Sequence, residues 1–365
     1  MRQPECRSIF TVIARKSASV RMPAFGFAAL LGLALFLSPS FLHGQIYGQT
    51  IYDLGEINGD LRILGDQEDD YIGIPNTVRV TDFNNNGRND LLLIQGNSSG
   101  SIFGLFDVDF KQSNSFIDMR YSKPDLYIPF NISAHFAFNR LFSLDLNGDG
   151  IDDLVASSWN SYSAGSSSKV FVIYGSSDWV PPITIDLASE SADLTILYGN
   201  SEDVHFGGSL ASGDLNNDGI EDLIIGAWDA ANPEGSHKGS VYVVFGSTNF
   251  PPSGTINFGK EPADLTFYGG GGNDDFGYDV AAGDVNGDGI DDVIVGAVRV
   301  NYDHVGRIYV FFGSNDFPPG HAVDLTYESA DITIISPHEY ARFGVSVSSG
   351  DINGDGIDDI CGGSP

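Results

Sequence analysis

The chain has 365 residues, enough for two ordinary domains or one large repeat array. Its 49 acidic against 18 basic residues leave a net charge of −31, and such a surface repels nucleic acid and anionic membranes. A nucleic-acid-binding role is therefore excluded.

Residues 1–44 read as a secretory signal peptide. Arg2, Arg7, Arg15, Lys16 and Arg21 form a basic stretch, the apolar run 24–37 follows, and Ser38-Pro39-Ser40 precedes Gly44-Gln45. That run is about 14 residues, short of the ~20 a membrane-spanning helix needs. No later segment is long enough, so no membrane span is expected apart from the signal. Cys6 lies in the leader and Cys361 is alone, which leaves no intrachain disulfide for the mature chain. The expected location is secreted, extracellular or at the cell surface.

Beyond the leader, the stretch 53–64, with Asp60-Leu61-Arg62, aligns without gaps to 186–197, whose Asp193-Leu194-Thr195 returns at Asp264-Leu265-Thr266 and, as Asp-Ile-Thr, at Asp331-Ile332-Thr333. The mature chain thus opens on the last strand of a repeat. A full repeat has four parts. A Phe-Gly with a small-residue strand comes first, as in 276–283, and an acidic loop with the strand leaving it comes second. An aromatic strand is third (170–174, 241–245, 308–312), followed by a turn such as Trp179-Val180-Pro181-Pro182 or Phe250-Pro251-Pro252. The Asp-Leu-Thr strand closes the unit.

The acidic loop recurs five times, with starts 63, 69, 70 and 67 residues apart. Oxygen-bearing side chains fall at positions 1, 3, 5 and 9, position 7 offers a backbone carbonyl, and a glycine at position 6 permits a sharp turn. Alternate oxygen donors on a turning backbone suit a hard cation. The candidate metal positions are Asp145, Asn147, Asp149, Ile151 and Asp153; Asp214, Asn216, Asp218, Ile220 and Asp222; Asp284, Asn286, Asp288, Ile290 and Asp292; and Asp351, Asn353, Asp355, Ile357 and Asp359. A weaker copy holds Asp82, Asn84, Asn86, Arg88 and Asp90, with neutral amides at positions 3 and 5 and a cation nearby. An EF-hand needs an acid at position 12 and flanking helices, whereas Ala156, Ile225 and Val295 stand there inside β-branched runs. Each loop therefore joins two strands.

Four short strands per ~68 residues, without helical periodicity, predict an all-β chain of β-propeller blades. The expected divisions are a closing strand in 45–70, a degenerate blade in 71–135, and blades in 136–204, 205–274 and 275–341. A half blade in 342–365 would make the chain a C-terminally truncated, incomplete ring of about four and a half blades.

The combined motif resembles the FG-GAP repeats of the integrin α-chain propeller. Phe206-Gly207, Phe276-Gly277 and Phe343-Gly344 precede each loop by a constant interval, and Gly226-Ala227, Gly296-Ala297 and Gly363-Ser364-Pro365 take the Gly-Ala-Pro place. The sequence departs where Trp228 and Val298 replace the proline and Ala137-Phe138 replaces Phe-Gly. The resemblance implies seven blades and Ca²⁺ in the acidic loops on one face.

No catalytic signature accompanies these repeats. The histidines at 43, 135, 205, 237, 304, 321 and 338 lack metal-site spacing, and the glycine run 269–272 lacks the lysine of a phosphate loop. Asp pairs such as Asp152-Asp153 sit in the repeated loops, where ligand roles outweigh acid–base chemistry. Trp159 and Trp228 are expected to pack between blades. Two functions fit: an extracellular adhesion module for a protein or glycan, or the non-catalytic propeller region of a larger secreted enzyme such as a hydrolase. In neither case is this segment expected to be an enzyme.

Overall fold

The computed structural model describes residues 9–13, 60–64, 78–95, 101–108, 115–118, 123–129, 137–159, 168–187, 192–199, 205–232, 234–235, 239–251, 253–271, 274–300, 305–338 and 341–364. Every regular element among them is a β-strand. Four antiparallel meanders follow one another, each four strands long and each matching one sequence repeat, as β-propeller blades do.

The first blade runs Val78–Thr81, Asp90–Gln95, Ser101–Leu105, Leu126–Ile128, and the second Ala137–Leu144, Asp153–Trp159, Lys169–Ile173, Leu194–Leu197. The third is Ser209–Gly213, Asp222–Ala227, Ser240–Val244, Leu265–Tyr268, and the fourth Phe276–Gly283, Asp292–Val300, Val305–Phe311, Ile332–Ile335. Ser346–Gly350 and Asp359–Gly363 form a fifth, two-stranded sheet. The first strands of successive blades are neighbours.

To each of the first three four-stranded meanders the next repeat adds a short strand. Ile183–Thr184 lies parallel to Leu126–Ile128, Gly254–Asn257 to Leu194–Leu197, and His321–Asp324 to Leu265–Tyr268. The double-proline turn sends the chain outward, and the segment after it occupies the otherwise open edge of the preceding blade. Its parallel direction follows from arriving by crossover rather than by hairpin. Asp60–Leu64 receives Ser115–Asp118 in the same parallel manner, which places it as a fourth strand, and Ile9–Ile13 pairs with its other side. The remainder of the leader lies outside the described residues.

Alternation explains the apolar composition of the central strands. Ile224 faces a cluster shared with Phe276, Val293 and Tyr309 of the fourth blade, while Ile225 faces Val155, Val170 and Leu144 of the second. Tyr242 and Val243 divide between the same two layers. With both faces covered, Asp222–Ala227 is buried along its whole length, so it has no polar face to display. Blades approach most closely at the motif glycines. A Cβ on Gly226 would strike the Gly277 carbonyl, and one on Gly296 the Gly344 carbonyl. Phe-Gly and Gly-Ala thus meet across each of these junctions.

Proline at 256 tests the crossover strand, because it removes an N–H from the run in which Gly254 and Phe258 donate to Asp193 and Leu197. Ile256→Pro is expected to speed amide exchange of 192–199, in the preceding blade, while 265–268 stays protected. Loss of protection confined to 265–268 would show that the strand serves its own repeat.

Candidate metal centre in the acidic loops

Each loop connects the first strand of a blade to the second. In the third blade Asp214 Oδ1 accepts the Asp218 N–H (3.0 Å) and its Oδ2 accepts the Gly219 N–H (2.9 Å). Asn216 Oδ1 also accepts the Asp218 N–H (2.9 Å), and Asp218 Oδ1 accepts the Ile220 N–H (2.9 Å). The same bonds recur around Asp145, Asp284 and Asp351. Self-capping of this kind is what short Asx side chains do in turns. It holds the oxygens of positions 1, 3 and 5 against one stretch of backbone. The position-6 glycine carries a left-handed φ in all five loops, from +81° at Gly87 to +89° at Gly289 and Gly356.

Position 9 plays a different part. Asp90, Asp153, Asp222 and Asp292 are fully buried. One oxygen of each accepts the N–H of position 2: Phe83 (3.0 Å), Leu146 (3.1 Å), Leu215 (2.9 Å) and Val285 (3.0 Å). The other accepts an N–H at the exit of the third strand: Asp107 (2.9 Å), Gly175 (3.0 Å), Gly246 (2.9 Å) and Gly313 (3.0 Å). Burial pushes the Asp153 and Asp222 carboxyls up to about 8 and those of Asp90 and Asp292 to about 6, against the pull of these N–H donors.

The donor set fits a hard cation. It consists of oxygens alone, and an oxygen that accepts one N–H keeps a second lone pair. The side chains do not converge as they stand: among the described residues, no three acidic, histidine or cysteine groups lie close enough to hold a metal ion. Each loop carboxylate is turned toward backbone N–H groups instead. The Asp82 loop differs again. Asn86 is drawn away by donating to Asp107 (2.6 Å), and the Asn84 Oδ1 is buried without a partner. Its Arg88 contributes an N–H to Asn86 Oδ1 (2.9 Å).

Two roles were not visible in the sequence motif. The aspartate that opens each fourth strand caps the end of the third: Asp125, Asp193, Asp264 and Asp331 accept N–H groups from Phe106 (2.8 Å), Tyr174 (2.8 Å), Phe245 (2.9 Å) and Phe312 (2.8 Å). The position-8 acids reach into the neighbouring blade. Trp228 does pack between blades, stacked on His205 (3.8 Å) and 6.0 Å from Tyr278 of the next blade. The Trp159 side chain lies outside the described residues.

The raised position-9 carboxyls set the pH response of the metal-free protein. A folded-state pKa above the unfolded value favours the folded state when the group is protonated, so this contribution is present at low pH and is lost as pH rises through 6 to 8. In chelator, the melting temperature is expected to rise as pH falls from 8.5 to 6, and Asp153→Asn with Asp222→Asn should flatten the slope. A melting temperature that falls over that interval would refute it.

A model of the FG-GAP repeat family matches residues 206–244 and 276–311, which span the first three strands of the third and fourth blades. The human phosphatidylinositol-glycan-specific phospholipase D is 30% identical over 209 residues, covering 56% of this chain and 24% of that protein. The Bos taurus phospholipase of the same name is 33% identical over 162 residues, covering 44% of this chain and 18% of that protein. Integrin alpha-5 of Xenopus laevis is 30% identical over 172 residues, covering 45% and 14% respectively. The chain therefore spans about a quarter or less of the length of these relatives. The chain thus carries FG-GAP repeats on two adjacent blades of a β-propeller, with a likeness that reaches an integrin α-chain.

Proposed function

We propose that the chain is a secreted, calcium-binding propeller module that presents a ligand-binding surface outside the cell and carries out no chemistry of its own. One observation carries this reading: an all-oxygen loop with the same backbone cage recurs at the same place in successive blades. The ion would be held by positions 1, 3, 5 and 9 and the carbonyls of Ile151, Ile220, Ile290 and Ile357, with water completing six to eight oxygens. It would neutralise carboxylates that crowd each turn in a chain of net charge −31. The partner class is an extracellular protein or glycan, bound through loops on the face opposite the acidic ones.

A second reading has support of its own. Similarity to phosphatidylinositol-glycan-specific phospholipase D fits the propeller region of a larger secreted enzyme, non-catalytic in itself. Calcium-dependent cell attachment to the immobilised full chain favours the first reading. Lipid-anchor hydrolysis by the complete gene product, with no attachment activity, favours the second.

Calcium is expected to raise the melting temperature of the secreted chain, because an ion that binds only the folded state adds about 2.7 kcal/mol per site at a hundredfold excess over Kd. Magnesium should do less, since it demands octahedral geometry and gives up water reluctantly. The Asp82 loop should bind most weakly. Equal melting curves with calcium and with chelator, together with no calorimetric uptake, would remove the calcium reading.

A further inference from the structure

The five loops are stitched to one another, and the stitch uses a side chain that the metal motif leaves unassigned. Position 8 is acidic in four loops, as Asp152, Glu221, Asp291 and Asp358. Asp291 Oδ2 accepts the N–H of Asp214, the first residue of the preceding loop, at 3.0 Å. The Asp291 N–H in turn donates to the Asp214 carbonyl (3.2 Å), so the two residues are tied twice. At the next junction the Asp358 N–H donates to the Asp284 carbonyl (2.9 Å), and the Asp358 carboxylate lies against Gly283, the residue before Asp284. At the first junction Asp152 Oδ2 accepts the hydroxyl of Thr81, the residue before Asp82.

Other contacts reinforce the stitch. Ser176, Ser247 and Ser314 donate N–H groups to the position-2 carbonyls of Phe83, Leu146 and Leu215 in the preceding loops (3.2, 2.9 and 2.9 Å). Gly148 leaves room for Ile220, and Gly287 for Ile357, so position 7 of one loop seats on position 4 of the loop before. Under the following blade the position-2 side chains are covered: Phe83, Leu146 and Leu215 are fully buried and Val285 partly so.

We propose that the position-8 acid is a positioning residue for the neighbouring cation site: it fixes the first ligand of the preceding loop, so that calcium occupancy of adjacent loops is coupled along the blade order. The proposal rests on the calcium reading above. An ion drawing Asp214 into place also sets the carbonyl that receives the Asp291 N–H, and Asp291 adjoins the ligand Asp292 of its own loop. Binding at one loop therefore prepays part of the ordering of the next. Coupling between sites of this kind is reciprocal.

Amide exchange read by mass spectrometry over a calcium titration of the full chain follows each loop separately. For Asp291→Ala, the calcium concentration giving half-maximal protection of 214–222 should rise about tenfold, while 351–359 is unmoved. Asp291→Asn keeps an acceptor oxygen but loses the charge, and should restore the wild-type midpoint to within about threefold. If Asn behaves like Ala, the effect is electrostatic and the positioning role is overturned. A midpoint for 214–222 unchanged in Asp291→Ala overturns it too, as does a shift confined to 284–292. Should that variant fail to fold, Asp358→Ala read at 284–292 carries the same test. Wild-type protein that takes up no calcium would sink the calcium reading and the coupling together; uptake without coupling sinks the coupling alone.

Discussion

A buried carboxylate at the start of each second strand is the constraint on which the blade depends. It accepts one N–H from the loop before it and another from the exit of the third strand, so a single side chain fixes three segments of chain at one corner. Neither donor could find water there, and an unpaired buried N–H costs on the order of 1–3 kcal/mol. The same group is one of the oxygens available to a cation. The blade corner and the candidate cation loop therefore draw on one atom set.

The interface between blades, rather than the blade, is the unit in which this chain is packed. Successive residues of a central strand belong to different hydrophobic layers, as Ile224 and Ile225 do. The glycines that give the repeat its signature sit where backbone meets backbone across that interface. The phenylalanine beside each is among the largest fully buried side chains, at Phe206 and Phe276. One motif thus couples a close approach to the bulk that fills the layer next to it.

Much of this was legible because it is local. Donors on alternate residues, the glycine at position 6 and the β-branched run after it are all set within about a dozen residues, and each appeared where its spacing placed it. The aromatic third strands and the Asp-Leu-Thr strands were equally plain. What escaped depends on a partner roughly seventy residues away. Ile183-Thr184 and Gly254–Asn257 follow proline turns and look like linker, since no alternation marks a strand that borrows its whole ladder from another blade. The position-8 acids looked like spare ligands for the same reason. Metal geometry was legible only in part: the sequence shows oxygen spacing, but not that each carboxylate is already engaged with its own backbone.

The crossover strand also separates two notions of a repeat that are easily confused. The repeat in sequence and the sheet in space are out of step, with the first three blades each drawing an outermost strand from the following stretch of chain. A duplication that copied one sequence unit would still leave every sheet whole, since each copy brings the strand its predecessor needs. Grafting is less forgiving. A blade moved into another scaffold without the segment after the next double-proline turn would arrive with one edge bare, and would recruit a strand from whatever chain lay nearest. Arrays of such blades can therefore lengthen by copying, while their individual members resist being traded.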